Sequence, residues 1–205
     1  LTQDSPTAEG LYKNREQEFY IHKAEFQAEA DVRLSILKEI HARLQGPNKN
    51  TPGAWSGFGY DFSGSIFFYP VDLTRSYYTK PVHFSESVYW SSANFSGSTY
   101  RDWVVFSDST YRGRADFSGS HYCGDADFSY SDYGGDTDFS YSTYQGEADF
   151  RESAYQGRAD FSSSTYKQHA VFSVFISPSI YKSHADFSYS DSGDDTDFCY
   201  LTLQG

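Results

Sequence analysis

The chain has 205 residues, a net charge of −12 and an aromatic content of 20%. That much ring surface excludes a disordered chain, and the negative charge argues against binding to nucleic acid phosphates or anionic lipids. No apolar run reaches the roughly 18 residues that a membrane span needs. The first residue is Leu1 rather than methionine, which favours a processed protein that is exported or resides in an organelle, for example in a lumen.

Residues 1–46 are predicted to form an amphipathic α-helix. Ser5 followed by Pro6 is a typical helix start, and the Gly-Pro pair at Gly46 is a typical stop. A break near Gly10 would divide the segment into two helices. Eight apolar residues lie within about 60° of one line on a helical wheel: Tyr12, Phe19, Phe26, Ala30, Leu34, Leu37, Ile40 and Leu44.

This helix has two predicted roles. It can cap the open end of the repeat domain that follows, because unpaired strands at such an end invite aggregation. Alternatively, it docks onto a protein partner or pairs with a second copy. The candidate contacts for docking are Phe19, Phe26, Leu37, Ile40 and Leu44. Residues 47–59 are predicted to be a linker with Trp55 as an anchor.

Residues 60–205 form a tandem repeat with a period of 11. Residues 115 to 125 read ADFSGSHYCGD, and residues 126 to 136 read ADFSYSDYGGD. The phase slips after Phe172, where Ile176 is assigned as the next centre. This assignment gives fourteen centres: Phe62, Leu73, Phe84, Phe95, Phe106, Phe117, Phe128, Phe139, Phe150, Phe161, Phe172, Ile176, Phe187 and Phe198.

Each unit is predicted to hold two short strands. A serine lies three residues after each of the first ten centres, and an aromatic ring lies five residues after each of them. The serine and the ring are thus two residues apart, and a step of two residues places side chains on one face of a strand. This spacing rules out a helical repeat of the same period. The glycines Gly113, Gly124, Gly135, Gly146 and Gly157 are expected at corners that need a positive φ.

Stacking these units predicts an all-β solenoid with a column of rings inside. A coil of one unit would be too narrow for a Phe and a Tyr, so we expect two units, four sides and about 22 residues per coil. Fourteen units then make about seven coils. The predicted core residues are Phe84, Phe95, Phe106, Phe117, Phe128, Phe139, Phe150, Phe161, Phe172, Phe187, Tyr89, Tyr100, Tyr111, Tyr122, Tyr133, Tyr144, Tyr155 and Tyr166.

The five residues ADFSG followed by the six residues SHYCGD resemble the pentapeptide-repeat family, in its Phe-rich variant with paired repeats. The resemblance covers residues 60–205. It implies a right-handed quadrilateral β-helix with Phe residues inside. Some members of the family mimic DNA and inhibit type II topoisomerases, while others reside in lumens or organelles. Because the second half has six residues, the cross-section is expected to differ from the usual square.

An acidic residue precedes the centre in nine units. We weigh three interpretations of this row: a solvated face whose aspartates bond to the backbone at corners, a DNA mimic, and a calcium site. The calcium interpretation comes from residues 134–138 and 194–197, which faintly resemble calcium-binding solenoid repeats. The acidic row consists of Asp61, Asp72, Asp116, Asp127, Asp138, Asp149, Asp160, Asp186 and Asp197.

No pattern in the sequence indicates catalysis. The six histidines form no HxH or HExxH spacing, and neither a GxSxG elbow nor a phosphate loop is present. The sequence therefore predicts no catalytic residue, cofactor, metal or small-molecule substrate. It predicts a non-catalytic scaffold that docks to protein partners through the helix or a solenoid face. The alternative is an acidic DNA mimic that inhibits a type II topoisomerase or another DNA-binding protein.

Overall fold

A computed structural model describes residues 15–176, 185–192 and 196–202. The predicted helix start at Ser5, the break near Gly10 and the side chain of Tyr12 lie outside these ranges. The described part contains one helix, α1 (Glu16–Leu44), and 23 strands, most of which are two residues long. The strands are β1 (Tyr60–Asp61), β2 (Ile66–Phe67), β3 (Val71–Asp72), β4 (Tyr77–Tyr78), β5 (Val82–His83), β6 (Val88–Tyr89), β7 (Ala93–Asn94), β8 (Thr99–Tyr100), β9 (Val104–Val105), β10 (Thr110–Tyr111), β11 (Ala115–Asp116), β12 (His121–Tyr122), β13 (Ala126–Asp127), β14 (Asp132–Tyr133), β15 (Thr137–Asp138), β16 (Thr143–Tyr144), β17 (Ala148–Tyr155), β18 (Ala159–Asp160), β19 (Thr165–Tyr166), β20 (Ala170–Ile176), β21 (Ala185–Asp186), β22 (Asp191–Ser192) and β23 (Thr196–Thr202).

The strands form a parallel solenoid with four faces. Face A contains β1, β5, β9 and β13, and face B contains β2, β6, β10 and β14. Face C contains β3, β7, β11, β15, β18 and β21, while face D contains β4, β8, β12, β16, β19 and β22. The long strand β17 turns the corner between faces A and B, and thereby joins them into one sheet.

The predicted coil of 22 residues is confirmed by the strand register. Tyr60 pairs with Val82, and Thr110 pairs with Asp132. Each strand thus lies on the strand that occupies the same place in the previous coil, at the spacing of neighbouring strands in any sheet. Neither strand of a unit buries much apolar area alone, so stacking supplies the stability of the domain.

Within the described residues the solenoid has about six coils, slightly fewer than the predicted number of about seven. Ile176 is not the centre of a separate unit, since it pairs with Tyr155 of the previous coil. The slip in the sequence pattern is instead an insertion. Ala159 pairs with Ala185, a step four residues longer than the usual 22.

Aromatic rings fill the interior in columns. Phe117 stacks on Phe95 and Phe139 with ring centroids 5.3 and 5.0 Å apart, and it meets the rings of the neighbouring units edge to face. Both geometries are favourable for aromatic pairs. Of the predicted core residues, Phe187 is only half-buried. The buried members are Phe84, Phe95, Phe106, Phe117, Phe128, Phe139, Phe150, Phe161, Phe172, Tyr89, Tyr100, Tyr111, Tyr122, Tyr133, Tyr144, Tyr155 and Tyr166.

The repeated serine satisfies backbone groups that the corners would otherwise bury without partners. The Ser109 N–H donates to the Ser131 hydroxyl oxygen at 3.2 Å, and that hydroxyl donates to the Phe106 carbonyl at 3.3 Å. The same pair of bonds recurs at every coil from Ser87 to Ser164. A buried N–H without a partner costs about 1–3 kcal/mol, so a small hydroxyl side chain is needed at this position.

Eleven of the described solenoid units turn a corner through a positive φ two residues after the centre, and most of these corners lack glycine. The φ values lie between 52° and 66°. L-residues pay about 1–2 kcal/mol for this conformation, so the corners are strained. The residues are Gly64, Arg75, Glu86, Gly97, Asp108, Gly119, Tyr130, Tyr141, Glu152, Ser163 and Tyr189.

The glycines expected to supply positive φ have another purpose. Gly113, Gly124, Gly135, Gly146 and Gly157 do not adopt a positive φ. A Cβ atom on Gly135 would lie 2.6 Å from the carbonyl oxygen of Gly113, one coil before it. These glycines therefore permit close approach between successive coils, and the prediction of their conformation is wrong.

Replacing a strained corner residue with glycine is expected to stabilise the solenoid. Glu86 is exposed and has a φ of 56°. Relief of the strain, offset in part by the greater freedom of glycine in the unfolded chain, should raise the free energy of unfolding of Glu86→Gly by about 0.5–1 kcal/mol. Urea denaturation measures this change. Glu86→Ala keeps the strain and should show no gain, so equal gains in both variants would contradict this explanation.

The chain divides into two compact units, Leu1–Ile36 and Leu37–Gly205, with the boundary inside α1. Within the second unit, the end of α1 contacts the first coil. The Thr74 carbonyl accepts a hydrogen bond from Gln45 Nε2 at 3.0 Å and lies 2.7 Å from His41 Nε2. Residues 37–45 thus satisfy a carbonyl at the start of the solenoid, as a cap does.

The predicted linker continues this cap. The Ser56 carbonyl accepts the Thr79 N–H at 2.9 Å, in the way that the carbonyl of a preceding coil does elsewhere in the solenoid. The Trp55 N–H donates to the Arg43 carbonyl at 3.0 Å, and the Trp55 carbonyl accepts from the Tyr60 hydroxyl at 3.0 Å. Trp55 therefore ties the end of the helix to the first strand of the solenoid.

Candidate functional site

The predicted partner contacts on α1 differ in accessibility. Phe19, Leu37 and Leu44 are buried within this chain, so they are not available to a partner. Ile40 is half-buried, and Phe26 is 40% exposed. Of the five residues that the sequence singled out, Phe26 therefore offers the most surface.

A second apolar stripe on α1 was missed by the sequence analysis. Ile21, Val32 and Ile36 are between 50% and 62% exposed. They lie within about 60° of one another on a helical wheel, on a different side of the helix from Leu37, and Glu25 lies in the same arc between Ile21 and Val32. The stripe of Phe and Leu residues is the stronger signal in the sequence.

The aspartates of the acidic row stabilise the corners. The Asp116 Oδ1 atom accepts hydrogen bonds from the Ser118 N–H at 3.1 Å and from the Ser118 hydroxyl at 2.7 Å. Asp61, Asp127 and Asp138 make the same pair of bonds to the serine two residues later. Backbone and hydroxyl bonds from Ser188 likewise lower the pKa of Asp186. This geometry favours the interpretation of the row as a solvated face whose aspartates bond to the backbone at corners.

Arginines neutralise part of the row on face C. Arg114 lies 3.1 Å from Asp116 and 3.4 Å from Asp138, while Arg158 lies 2.8 Å from Asp160. A mimic of DNA needs a continuous row of unpaired negative charges, as phosphates provide. The pairing of these aspartates with arginine weighs against that alternative.

The calcium interpretation also lacks support in the described ranges. Asp136 Oδ1 accepts the Arg158 N–H at 2.9 Å, and Asp138 is paired with Arg114. No group of three His, Cys, Asp or Glu side chains that could hold a metal ion occurs among the described residues. Residues 194 and 195 of the second calcium-like stretch lie outside those residues.

The turn role of the aspartates predicts that their charge is dispensable. Asn94 occupies the same row and accepts the Ser96 N–H at 3.0 Å. We expect Asp116→Asn to change the free energy of unfolding by less than about 0.5 kcal/mol, and Asp116→Ala to cost about 1 kcal/mol because the Ser118 bonds are lost. Urea denaturation distinguishes the two. If Asp116→Asn is as unstable as Asp116→Ala, the charge matters and the turn explanation is wrong.

Nine tyrosine hydroxyls lie inside the solenoid. None of them has a hydrogen-bond partner among the described residues. Burial raises the pKa of every one far above the ordinary value of about 10, although a serine hydroxyl nearby offsets part of the effect. The nine residues are Tyr78, Tyr89, Tyr100, Tyr111, Tyr122, Tyr133, Tyr144, Tyr155 and Tyr166.

Comparison with known proteins does not assign this chain to a family. No family model, curated protein or solved structure matches this chain. The resemblance to the pentapeptide-repeat family therefore stays a prediction, carried by the repeat unit itself. In the described part of the chain, none of the helical segments combines the length and the apolar character of a membrane span.

Proposed function

We propose that this protein is a non-catalytic scaffold that attaches to a protein partner through α1. The observation that carries the proposal is the exposed stripe of Ile21, Val32 and Ile36. Exposed apolar residues on one side of a helix are typical of a segment that lies in the groove of a partner. Phe26 adds a further accessible ring on the same helix.

The solenoid supports the scaffold role through its regularity. Many of its polar side chains are used in the fold itself, since serines and aspartates bond to corner backbone groups and arginines pair with aspartates. A stack of identical coils is a rigid rod whose length is set by the number of repeats. Such a rod presents fixed rows of side chains at a constant spacing, which suits a spacer or a docking surface.

If the stripe is the contact, charged substitutions within it should prevent binding of the partner. Ile21→Glu, Val32→Glu and Ile36→Glu, combined in one chain, should release the protein from its native complex, because charged residues cannot occupy an apolar groove. Size-exclusion chromatography of tagged chains from the native source measures the mass of the complex. The matched control combines Lys23→Gln, Gln27→Glu and Lys38→Gln, which changes the charge equally at other exposed positions of α1.

The expected result is a large complex for the native chain and the control, and the mass of a single chain for the triple variant. Circular dichroism should show equal folding of all three proteins. The scaffold proposal fails if the native chain elutes alone, or if the triple variant keeps the complex.

A further inference from the structure

Two exposed tyrosines occupy strained corners of the solenoid. Tyr141 and Tyr189 both have a φ of 57°, and their side chains are 72% and 92% exposed. A positive φ is a genuine outlier for a bulky residue, and rings so exposed return no packing energy to the fold. The corner conformation is common to most units, and Gly119 adopts it one coil earlier without strain, so the choice of an exposed tyrosine here points to a role outside the fold.

The two tyrosines lie in line along the solenoid. Both belong to the corner between faces C and D, two coils apart. The distance between successive coils at this corner follows from the neighbouring column of Phe rings. The ring centroids of Phe139 and Phe161 are 4.9 Å apart, and those of Phe161 and Phe187 are 4.8 Å apart. Two coils therefore separate the tyrosine positions by about 10 Å along the axis.

Small and hydroxylated residues surround the two rings. Ser163 occupies the corner between them. Gly119 lies one coil before Tyr141, and a Cβ atom there would have no neighbour within 4 Å. Thr143 and Thr165 present half-buried side chains from the adjoining strands of face D. The edge is thus an open strip with two aromatic platforms and hydroxyl groups beside them.

We propose that this strip binds an extended, neutral 1,4-linked polysaccharide. The C–H face of a pyranose ring is apolar and stacks on aromatic rings, while its hydroxyls bond to side chains such as Thr143 and Thr165. Two coils of the solenoid are about as long as one disaccharide of an extended β-1,4-linked chain, so Tyr141 and Tyr189 would stack on alternate sugars. The net charge of −12 disfavours an acidic polysaccharide. This site is independent of the helix stripe.

Isothermal titration calorimetry with hexasaccharides tests the proposal. The probes are the β-1,4-linked hexamers of glucose and of N-acetylglucosamine. Tyr141→Ser and Tyr189→Ser introduce serine, which already occupies this corner in the intermediate coil as Ser163. The control is Tyr130→Ser, because Tyr130 has a φ of 55° and 51% exposure but lies at the opposite corner, between faces A and B.

We expect at least one hexamer to bind the native protein. Each single variant should weaken binding about tenfold, since one ring face then no longer excludes water from the sugar, and the double variant should abolish binding. Tyr130→Ser should bind as the native protein does. The proposal is overturned if neither hexamer binds the native chain, if the double variant retains binding, or if Tyr130→Ser loses as much affinity as the other single variants.

Discussion

Raising the pH above about 10 is expected to unfold the solenoid in one steep transition. The nine buried tyrosines are the cause, because their pKa values in the folded chain lie far above the ordinary value. Unfolding brings each hydroxyl into water, where it titrates near pH 10. The stabilising effect of the protonated form is therefore fully present below pH 10 and is lost as the pH rises beyond it.

The number of tyrosines determines the steepness. Each group lowers the free energy of unfolding by about 1.4 kcal/mol per pH unit once the unfolded chain has lost its proton, so nine groups together lower it by about 12 kcal/mol per pH unit. The free energy of unfolding of an ordinary domain is about 5–15 kcal/mol. At this slope, a rise of one to two pH units is enough to remove all of it.

Absorbance of tyrosinate at 295 nm and circular dichroism, followed together during an alkaline titration, measure the transition. We expect the buried tyrosines to ionise only as the β signal disappears. A chain with Tyr89→Phe, Tyr111→Phe and Tyr133→Phe loses three buried hydroxyls and should unfold less steeply and at higher pH. Ionisation of all tyrosines near pH 10 with an intact β signal would show that these hydroxyls reach water in the folded protein.

Truncation of a central ring is expected to be the most destabilising single substitution. Phe117 is fully buried and stacks between Phe95 and Phe139. Phe117→Ala removes ring contacts in both directions along the column and leaves a cavity, which should cost about 3–5 kcal/mol. The midpoint and slope of urea denaturation measure the loss.

The control is Phe58→Ala, because Phe58 is 59% exposed and lies before the first strand. This variant should lose less than about 0.5 kcal/mol. Comparable losses at Phe58 and Phe117 would mean that the column of rings does not stabilise the solenoid.

The coil of the solenoid could be predicted from the sequence because burial leaves few alternatives. Tyr122 lies five positions after Phe117, an odd interval that would place the two rings on opposite faces of one strand. Both must be inside, which requires a corner between two short strands. A second unit is then needed to widen the coil around the rings. The same argument requires a small side chain such as Ser120 beside them.

The conformation of the corners could not be predicted in the same way. The position with positive φ holds Gly97, Glu86 or Tyr141 in different units, so it carries no compositional signal. Gly135 suggested a positive φ from the sequence. The structure instead explains this glycine by the close approach of the neighbouring coil, which leaves no room for a Cβ atom. One residue type serves both purposes, and only the contacts between coils distinguish them.

The count of units failed at Ile176 for a related reason. The letters around this residue imitate a repeat, because an isoleucine is followed by a serine and by Tyr181 at the usual intervals. A register shift within the pairing of β17 and β20 brings Ile176 opposite Tyr155 instead. Local spacing cannot reveal such a shift, since it depends on the strand in the previous coil.

The stacking of residues 22 positions apart is tested most directly by disulfide formation. Cys123 and Cys199 are first replaced by serine. Thr110→Cys with Asp132→Cys should then form a disulfide readily, because the two residues are paired neighbours in parallel strands about 4.8 Å apart. Thr110→Cys with His121→Cys should stay reduced, since β10 and β12 lie on opposite faces. A disulfide at the spacing of 11 residues, or none at the spacing of 22, would contradict the coil.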